Sequence, residues 1–248
     1  MQLKELDNYI AQLLQPERFN DYCPNGLQVE GKTEIKSIVT GVTANMALLE
    51  AAQAVNADTI LVHHGYFWRG ESPVVTGIKK RRLQFLLAHD INLFAYHLPL
   101  DANLELGNNV MLGKVLEFGS VAYLDDKNMM PWIQLKQEKR LSVFADEVGL
   151  KLNRQVQYIG QPDKLIKTVA WCTGAAQSYI EQAILHDVDV FISGEISEQT
   201  VHMARESNTA YISAGHHATE RYGIKALGEH LAEKFKLQHQ FIDINNPI

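Results

Sequence analysis

Ile35-Lys36-Ser37-Ile38-Val39 opens a stretch that closes on Ala57-Asp58-Thr59-Ile60-Leu61-Val62-His63-His64, and its pattern returns 131 positions later. The second copy runs from Ile166-Lys167-Thr168-Val169-Ala170 to Val188-Asp189-Val190-Phe191-Ile192-Ser193-Gly194-Glu195. In register, Ile35, Lys36, Ala44, Glu50, Ala52 and Asp58 meet the same residue types at Ile166, Lys167, Ala175, Glu181, Ala183 and Asp189. Each copy begins with a short apolar run, at 38–42 or 169–172, which reads as a buried strand. A helical stretch follows, its apolar face marked by Leu48, Leu49, Ala52 and Val55 in one copy and by Tyr179, Ile180 and Ala183 in the other. A second apolar run comes next, at 59–62 or 190–192. Strands alternating with amphipathic helices predict βαβ units in an α/β fold, as two similar repeat domains with mostly parallel sheets.

The likeness extends further along both copies. Helical spacing at 79–88 and 198–205 precedes a third strand at 92–96 or 210–214. Just beyond it lie His97-Leu98-Pro99-Leu100-Asp101 in one copy and His216-His217-Ala218-Thr219-Glu220 in the other, each with a carboxylate four residues after a histidine. Helices are predicted next, at 108–116 and 219–235. The stretch 117–160 is less regular, with a strand indicated at 131–133 and helical spacing at 141–148. The expected division is 1–125 and 126–248, and a last strand at 241–244 is compatible with either half.

Composition sets the class. Of 248 residues, 46% are apolar and 21% charged, the ordinary mix of a globular chain able to bury one large core or two. A net charge of -6 gives no global electrostatic case for nucleic acid or an anionic membrane. Two cysteines, Cys23 and Cys172, in no C-x-x-C pair, point to a reducing compartment. The first residues lack the apolar core of a signal peptide, and no apolar run approaches the roughly 20 residues that cross a bilayer. The expectation is a cytoplasmic protein.

Ligands of open α/β sheets bind beyond the carboxyl ends of the strands. Five of the ten histidines, His63, His64, His97, His216 and His217, fall at such ends, together with Asp101 and Glu220. His63-His64 alone reads more readily as a solvated loop pair than as ligands, because adjacent side chains leaving a strand diverge and one ion would struggle to take both, though two neighbouring ions could each take one. A spacing of four, by contrast, brings histidine and carboxylate together once the chain starts to coil. Imidazole nitrogen with carboxylate oxygen is the donor mix of zinc, iron, manganese, cobalt or nickel sites. The plainer reading of each pair is a carboxylate favoured by a helix start, but its recurrence in both copies favours a site. His97 and His217 are candidate proton shuttles or outer hydrogen-bond donors. Glu195 holds the repeat position of His64, as a further polar group or a surface acid. Asp21-Tyr22-Cys23-Pro24-Asn25-Gly26 reads as turn chemistry, with Cys23 a structural thiol. Lys79-Lys80-Arg81-Arg82 reads as a solvated helix face. Tyr66-Phe67-Trp68 reads as loop packing, or as a surface on which a planar base stacks. No phosphate-binding glycine loop and no nucleophile elbow is present.

Four stretches together resemble one family over nearly the whole chain: Asn25-Gly26-Leu27-Gln28-Val29-Glu30-Gly31, Val62-His63-His64-Gly65-Tyr66-Phe67-Trp68, His97-Leu98-Pro99-Leu100-Asp101 and Gly215-His216-His217-Ala218-Thr219-Glu220. They are similar to the NGG-one-interacting-factor-three-like family, whose short bacterial members carry the label GTP cyclohydrolase 1 type 2 homologue. The resemblance implies two metal ions held by His63, His64, Asp101, His216 and Glu220 in a cleft between two similar domains. It also implies a ring-shaped homohexamer. The expectation is a divalent-metal-dependent hydrolase in which water activated on the two cations attacks a nucleotide or similar small substrate. The competing readings are a metal storage, delivery or sensing protein without turnover, and a ring-shaped nucleic-acid-binding scaffold. The acidic balance counts mildly against the last.

Overall fold

The computed structural model describes residues 1–248 and divides them into two units: Met1–Gly107 with Gly223–Ile244, and Asn108–Tyr222 with Asn245–Ile248. No helix is long and apolar enough to cross a membrane.

The first unit begins with α1 (Leu3–Leu14), whose Leu3, Leu6, Ile10 and Leu14 form one buried stripe. The helix stops at Gln15, whose left-handed backbone (φ 50°) closes the last turn ahead of Pro16. There follow β1 (Gly26–Val29), β2 (Ser37–Thr43), α2 (Met46–Ala54), β3 (Thr59–His64), α3 (Gly77–Ala88), β4 (Asn92–Ala95) and the short α4 (Leu98–Asp101). Strands β2, β3 and β4 run parallel in chain order, and β1 closes one edge antiparallel to β4. The other edge is the chain's last strand, Gln238–Phe241, parallel to β2.

The strands read as unbroken apolar runs because both faces of this sheet are covered. Val39, Ile60, Val62, Leu93 and Ala95 point to one face and pack with Leu48, Leu49 and Ala52 of α2 and Leu86 of α3. Ile38, Leu61, Phe94 and Tyr96 alternate to the other and meet the stripe of α1 with Ile224, Leu227 and Leu231. Burying each of the valine, leucine, isoleucine and phenylalanine side chains contributes about 1.5–3 kcal/mol.

The second unit contains α5 (Asn108–Val115), β5 (Ala122–Tyr123), β6 (Pro131–Arg140), α6 (Leu141–Leu152), β7 (Gln157–Ile159), β8 (Leu165–Trp171), α7 (Ile180–Leu185), β9 (Val190–Ser193), α8 (Glu198–Glu206) and β10 (Ala210–Ser213). The long α9 (His216–Phe235) starts here, and from Gly223 its turns belong to the first unit, as does β11 (Gln238–Phe241). The six-stranded sheet has the order β5-β6-β8-β9-β10-β7. One face packs Val169, Trp171, Val190, Ile192 and Ile212 against Phe144, Val148 and Leu152 of α6.

Three expectations are corrected. The second sheet is mixed, since only β8-β9 and β9-β10 are parallel while β5-β6, β6-β8 and β10-β7 are antiparallel. The irregular stretch 117–160 supplies the extra strands, and they enter the sheet against the direction of the βαβ core. The division falls at Gly107/Asn108 rather than near 125, and residues 223–244 return to the first unit because Ile224, Leu227 and Leu231 complete its core. The last strand is β11, three residues earlier than expected, and it pairs with β2.

Both units share one device at the entrance to their parallel strands. The Asp58 carboxylate accepts from the backbone N–H of Lys36 (2.9 Å) and Ser37 (3.1 Å), from the Ser37 hydroxyl (3.2 Å) and from Lys32 Nζ (2.8 Å). Asp189 accepts from the N–H of Lys167 (2.8 Å) and Thr168 (2.8 Å) and from the Thr168 hydroxyl (3.0 Å). Burial works against both charges, yet these hydrogen bonds prevail and hold both carboxyls below their ordinary pKa. A carboxyl whose pKa is lowered on folding stabilises fully above its unfolded pKa, about 4, and loses that contribution as pH falls below it. Asp189→Asn should therefore cost about 1–3 kcal/mol at pH 7 by urea unfolding. Its deficit against wild type should shrink as the pH drops through 4 and below. Equal stability at pH 7 would refute the role given to this clamp.

Candidate metal centre

Two donor sets form, one in each unit. In the first, β3 ends on His63-His64, and the two rings lie 4.5 Å apart instead of diverging to opposite faces. The chain then passes Gly65, where any Cβ would overlap the Gln28 amide and stand 2.5 Å from Ala95 Cβ. That amide clamps the next residue: Gln28 Oε1 accepts from Tyr66 N at 2.7 Å, and Gln28 Nε2 donates to Tyr66 O at 3.1 Å. The Gly65 position and the Gln28 side chain thus fix where the strand's last two imidazoles stand.

His63 is fully buried, and its Nδ1 donates to the Tyr96 carbonyl at 2.9 Å. A carbonyl only accepts, so the proton sits on Nδ1 and a neutral ring carries its lone pair on Nε2. Nε2 lies 3.5 Å from Oδ1 of buried Asp101. Asp101 reaches this position because the chain coils after His97, with Asp101 N donating to His97 O at 3.2 Å. His64 places Nδ1 3.1 Å from the Thr43 hydroxyl. His97 places Nδ1 2.7 Å from Asp21 Oδ1, and its backbone N–H donates to Asn25 Oδ1 at 2.7 Å. The second Asp21 oxygen accepts from Asn25 Nδ2 (2.8 Å) and Leu98 N (3.0 Å). Burial opposes the Asp21 charge, but His97, Asn25 and the Tyr22 N–H outweigh it and keep the carboxyl below its ordinary pKa.

In the second unit His216 opens α9, and the i,i+4 spacing brings its Nε2 to 3.0 Å from Glu220 Oε2. Its Nδ1 is 2.7 Å from Glu195 Oε1. Burial lowers the His216 pKa, but the two carboxylates overcome it and push it up to about 9. Gly174, at φ 71°, leaves room for the Glu220 carboxylate, which any Cβ there would overlap. The buried Thr219 hydroxyl accepts from Gly174 N (3.1 Å) and donates to Gly215 O (2.9 Å), tying the loop after β8 to the first turn of α9. His217 is buried, with its backbone N–H on Ile248 O at 2.9 Å.

Within the first unit His63, His64, His97 and Asp101 thus meet, as do His216 and Glu220 within the second. In His63 and His216 alike, Nδ1 is held by a protein acceptor and Nε2 is turned to a carboxylate. That arrangement fits a divalent metal, because an acceptor on one ring nitrogen fixes the tautomer and raises the basicity of the other. The sulfur chemistry is different. Cys23 lies with Asp21 and His97, but burial, then the Asp21 charge, push its thiol up to about 12, so it stays protonated and reads as structural. Sequence reading missed Thr43, Tyr96 and Asp21 as ring anchors, took Asp21 and Asn25 for turn residues, and left Glu195 open.

Comparison with known proteins agrees over the whole chain. The family model described as Duf34/NIF3 (NGG1p interacting factor 3) matches residues 1–247. A protein of Allochromatium vinosum called GTP cyclohydrolase 1 type 2 homolog is 50% identical over 246 residues, covering 99% of this chain and 97% of that one. A solved structure described as protein ybgI, of unknown function, superposes with a TM-score of 0.95 at 48% identity, covering 100% of both chains. TTHA1606 from Thermus thermophilus follows with 0.90 at 33% identity, again covering 100% of both.

In metal-free protein, imidazole NMR shifts of His216 should titrate near pH 9. Glu195→Gln removes one of the two acids and should lower that midpoint. A wild-type midpoint at the ordinary value of 6.5 would contradict the geometry.

Proposed function

The chain belongs to the Duf34/NIF3 family, and on that footing we propose that it is a divalent-metal-dependent hydrolase acting on a nucleotide or similar small substrate. The observation that carries the reading is the matched arrangement of His63 with Asp101 and of His216 with Glu220, each imidazole anchored through Nδ1. We further propose that His63, His64, Asp101, His216 and Glu220 together hold two cations. Bound there, such ions supply Lewis acidity and lower the pKa of water toward neutrality. The two carboxylates offset part of the cation charge, and Tyr96, Thr43 and Glu195 keep the imidazole rings from turning away. Trp68, half-buried with its Nε1 on Gly65 O, stands 5.9 Å from the His64 ring and offers an aromatic wall to a planar base. The nucleotide assignment draws on the name of the relatives and on that wall.

Anaerobic purification with elemental analysis should find about two divalent ions per chain, and a metal-replete screen of nucleotides and phosphoesters should find turnover above metal alone. Asp101→Ala and Glu220→Ala should each lower metal content and cut turnover by on the order of 100-fold or more, with far-UV circular dichroism unchanged. Variants that load metal like wild type would overturn the ligand assignment. Fully loaded protein that hydrolyses nothing faster than the free ion would overturn the hydrolase and favour storage or delivery of metal.

A further inference from the structure

The basic run Lys79-Lys80-Arg81-Arg82, which reads from sequence as a solvated helix face, divides in two once α3 forms. Lys80 and Arg81 are exposed, whereas Lys79 and Arg82 are partly covered. A spacing of three puts these two on one side of the helix. Both line a cavity of about 380 Å³, a size suited to a small ligand, together with Tyr66, Glu71, Ser72 and Thr76. The cavity lies within the first unit and shares no residue with the metal donor sets. Arg82 brings to it a charge that the protein does not answer. Its Nε is buried with no hydrogen-bond partner, and its nearest charge-stabilising neighbour is the Tyr66 ring, whose centre is 5.8 Å away. Other partly covered cations are matched: Lys32 Nζ is 2.8 Å from Asp58, and Lys164 donates to the carbonyls of Asp189 and Asn208. Withdrawing part of a guanidinium from water without a partner is costly, and an anion in the cavity offsets that cost.

We propose that this cavity binds the phosphate group of a small molecule, with Arg82 as its forked donor and Lys79 as its second cation. Lys79 is already aimed: its Nζ donates to the Ser72 carbonyl at 2.9 Å and stands 5.2 Å from the centre of the Phe67 ring. Glu71 Oε2 lies 3.9 Å from that Nζ and accepts from Trp68 N at 3.3 Å, so one carboxylate faces two cations and an excess of positive charge remains. A planar guanidinium matches two phosphate oxygens at once, and an ammonium supplies a point charge for a third. The Thr76 hydroxyl, which does not cap α3, is a neutral donor in the same lining. Tyr66 forms one wall and is held by the Gln28 amide two residues after His64, so β3 leads to this cavity as well as to the metal centre. The phosphate site needs no metal and stands apart from the hydrolase reading.

The test is isothermal titration of the whole, metal-free chain with pyrophosphate, at about 0.15 M salt, where charges more than roughly 8 Å apart are screened. Wild type should bind saturably. Arg82→Gln should weaken binding on the order of 10–100-fold, and Arg82→Lys, which keeps the charge and loses the fork, should fall between the two. Lys80→Gln removes the same charge from the exposed side of α3 and should change affinity less than about 5-fold. Should Arg82→Gln lose its fold by circular dichroism, Lys79→Gln carries the test and should weaken binding more than Lys80→Gln does. Displacement of pyrophosphate by a nucleoside monophosphate and not by the nucleoside identifies a nucleotide as the source of the phosphate. Displacement by inorganic phosphate alone supports the same site with the free anion as its ligand. Absence of saturable binding in wild type overturns the proposal, and so does a Lys80→Gln variant as weak as Arg82→Gln or Lys79→Gln, which would reduce the effect to diffuse surface charge. With metal absent throughout, failure here leaves the hydrolase reading standing, and a chain that takes up no metal leaves this site standing.

Discussion

An imidazole ring is a better-aimed and stronger metal donor through one nitrogen when the proton on the other has a fixed acceptor. In this chain four histidines at strand ends have that provision built in, each through Nδ1. His63 donates to the Tyr96 carbonyl, His64 meets the Thr43 hydroxyl, His97 meets the Asp21 carboxylate and His216 meets Glu195. The acceptors differ in strength, from a neutral carbonyl or hydroxyl to a full carboxylate. The rings are therefore expected to differ as donors, and the carboxylates beside His216 make it the more basic. The remaining chemistry of the site depends on this arrangement, since it decides which nitrogen faces the carboxylates.

The fold supplies the rigidity that such an arrangement needs. Strands β3 and β10 lead to the histidine segments, and each belongs to a run of parallel strands whose entrance is fixed by an aspartate, Asp58 or Asp189. Close backbone approaches then leave no slack at the site. Gly65 passes against the Gln28 amide, and Gly194 runs so near His216 that a Cβ would stand 2.6 Å from its Cα. A substitution at either glycine would move a donor without touching a donor side chain.

The grouping of His63 with Asp101 and of His216 with Glu220 was legible in the sequence because its placement follows from local rules. Strand ends follow from apolar runs, and the four-residue spacing of His216 with Glu220 needs only the first turn of α9. The repeat also carried a reason in its few identities, for Asp58 and Asp189 turn out to make the same backbone hydrogen bonds. The anchors of the rings were not legible, since they arrive from far along the chain. Asp21 is separated from His97 by 76 residues, and nothing in the spacing of a turn-like Asp21–Gly26 stretch points to that pairing. Of the antiparallel strands of the second sheet, β6 was indicated at 131–133, while β5 and β7 were hidden for a related reason. The three-residue β7 has no periodicity to read, and it finds its place only by pairing with β10. The return of residues 223–244 to the first unit depends on which core Ile224, Leu227 and Leu231 complete, a question that the helical pattern of α9 leaves open.

The central claim is that Nε2, and not Nδ1, is the metal-facing nitrogen of these histidines. Anomalous diffraction at the metal edge from crystals of zinc-loaded protein tests it directly. Metal peaks should lie about 2.0–2.2 Å from Nε2 of His63 and of His216, with Asp101 and Glu220 oxygens in the same coordination shells and the Tyr96 and Glu195 contacts kept. Zinc bound through Nδ1 with those contacts broken, or seated away from these residues altogether, would contradict it.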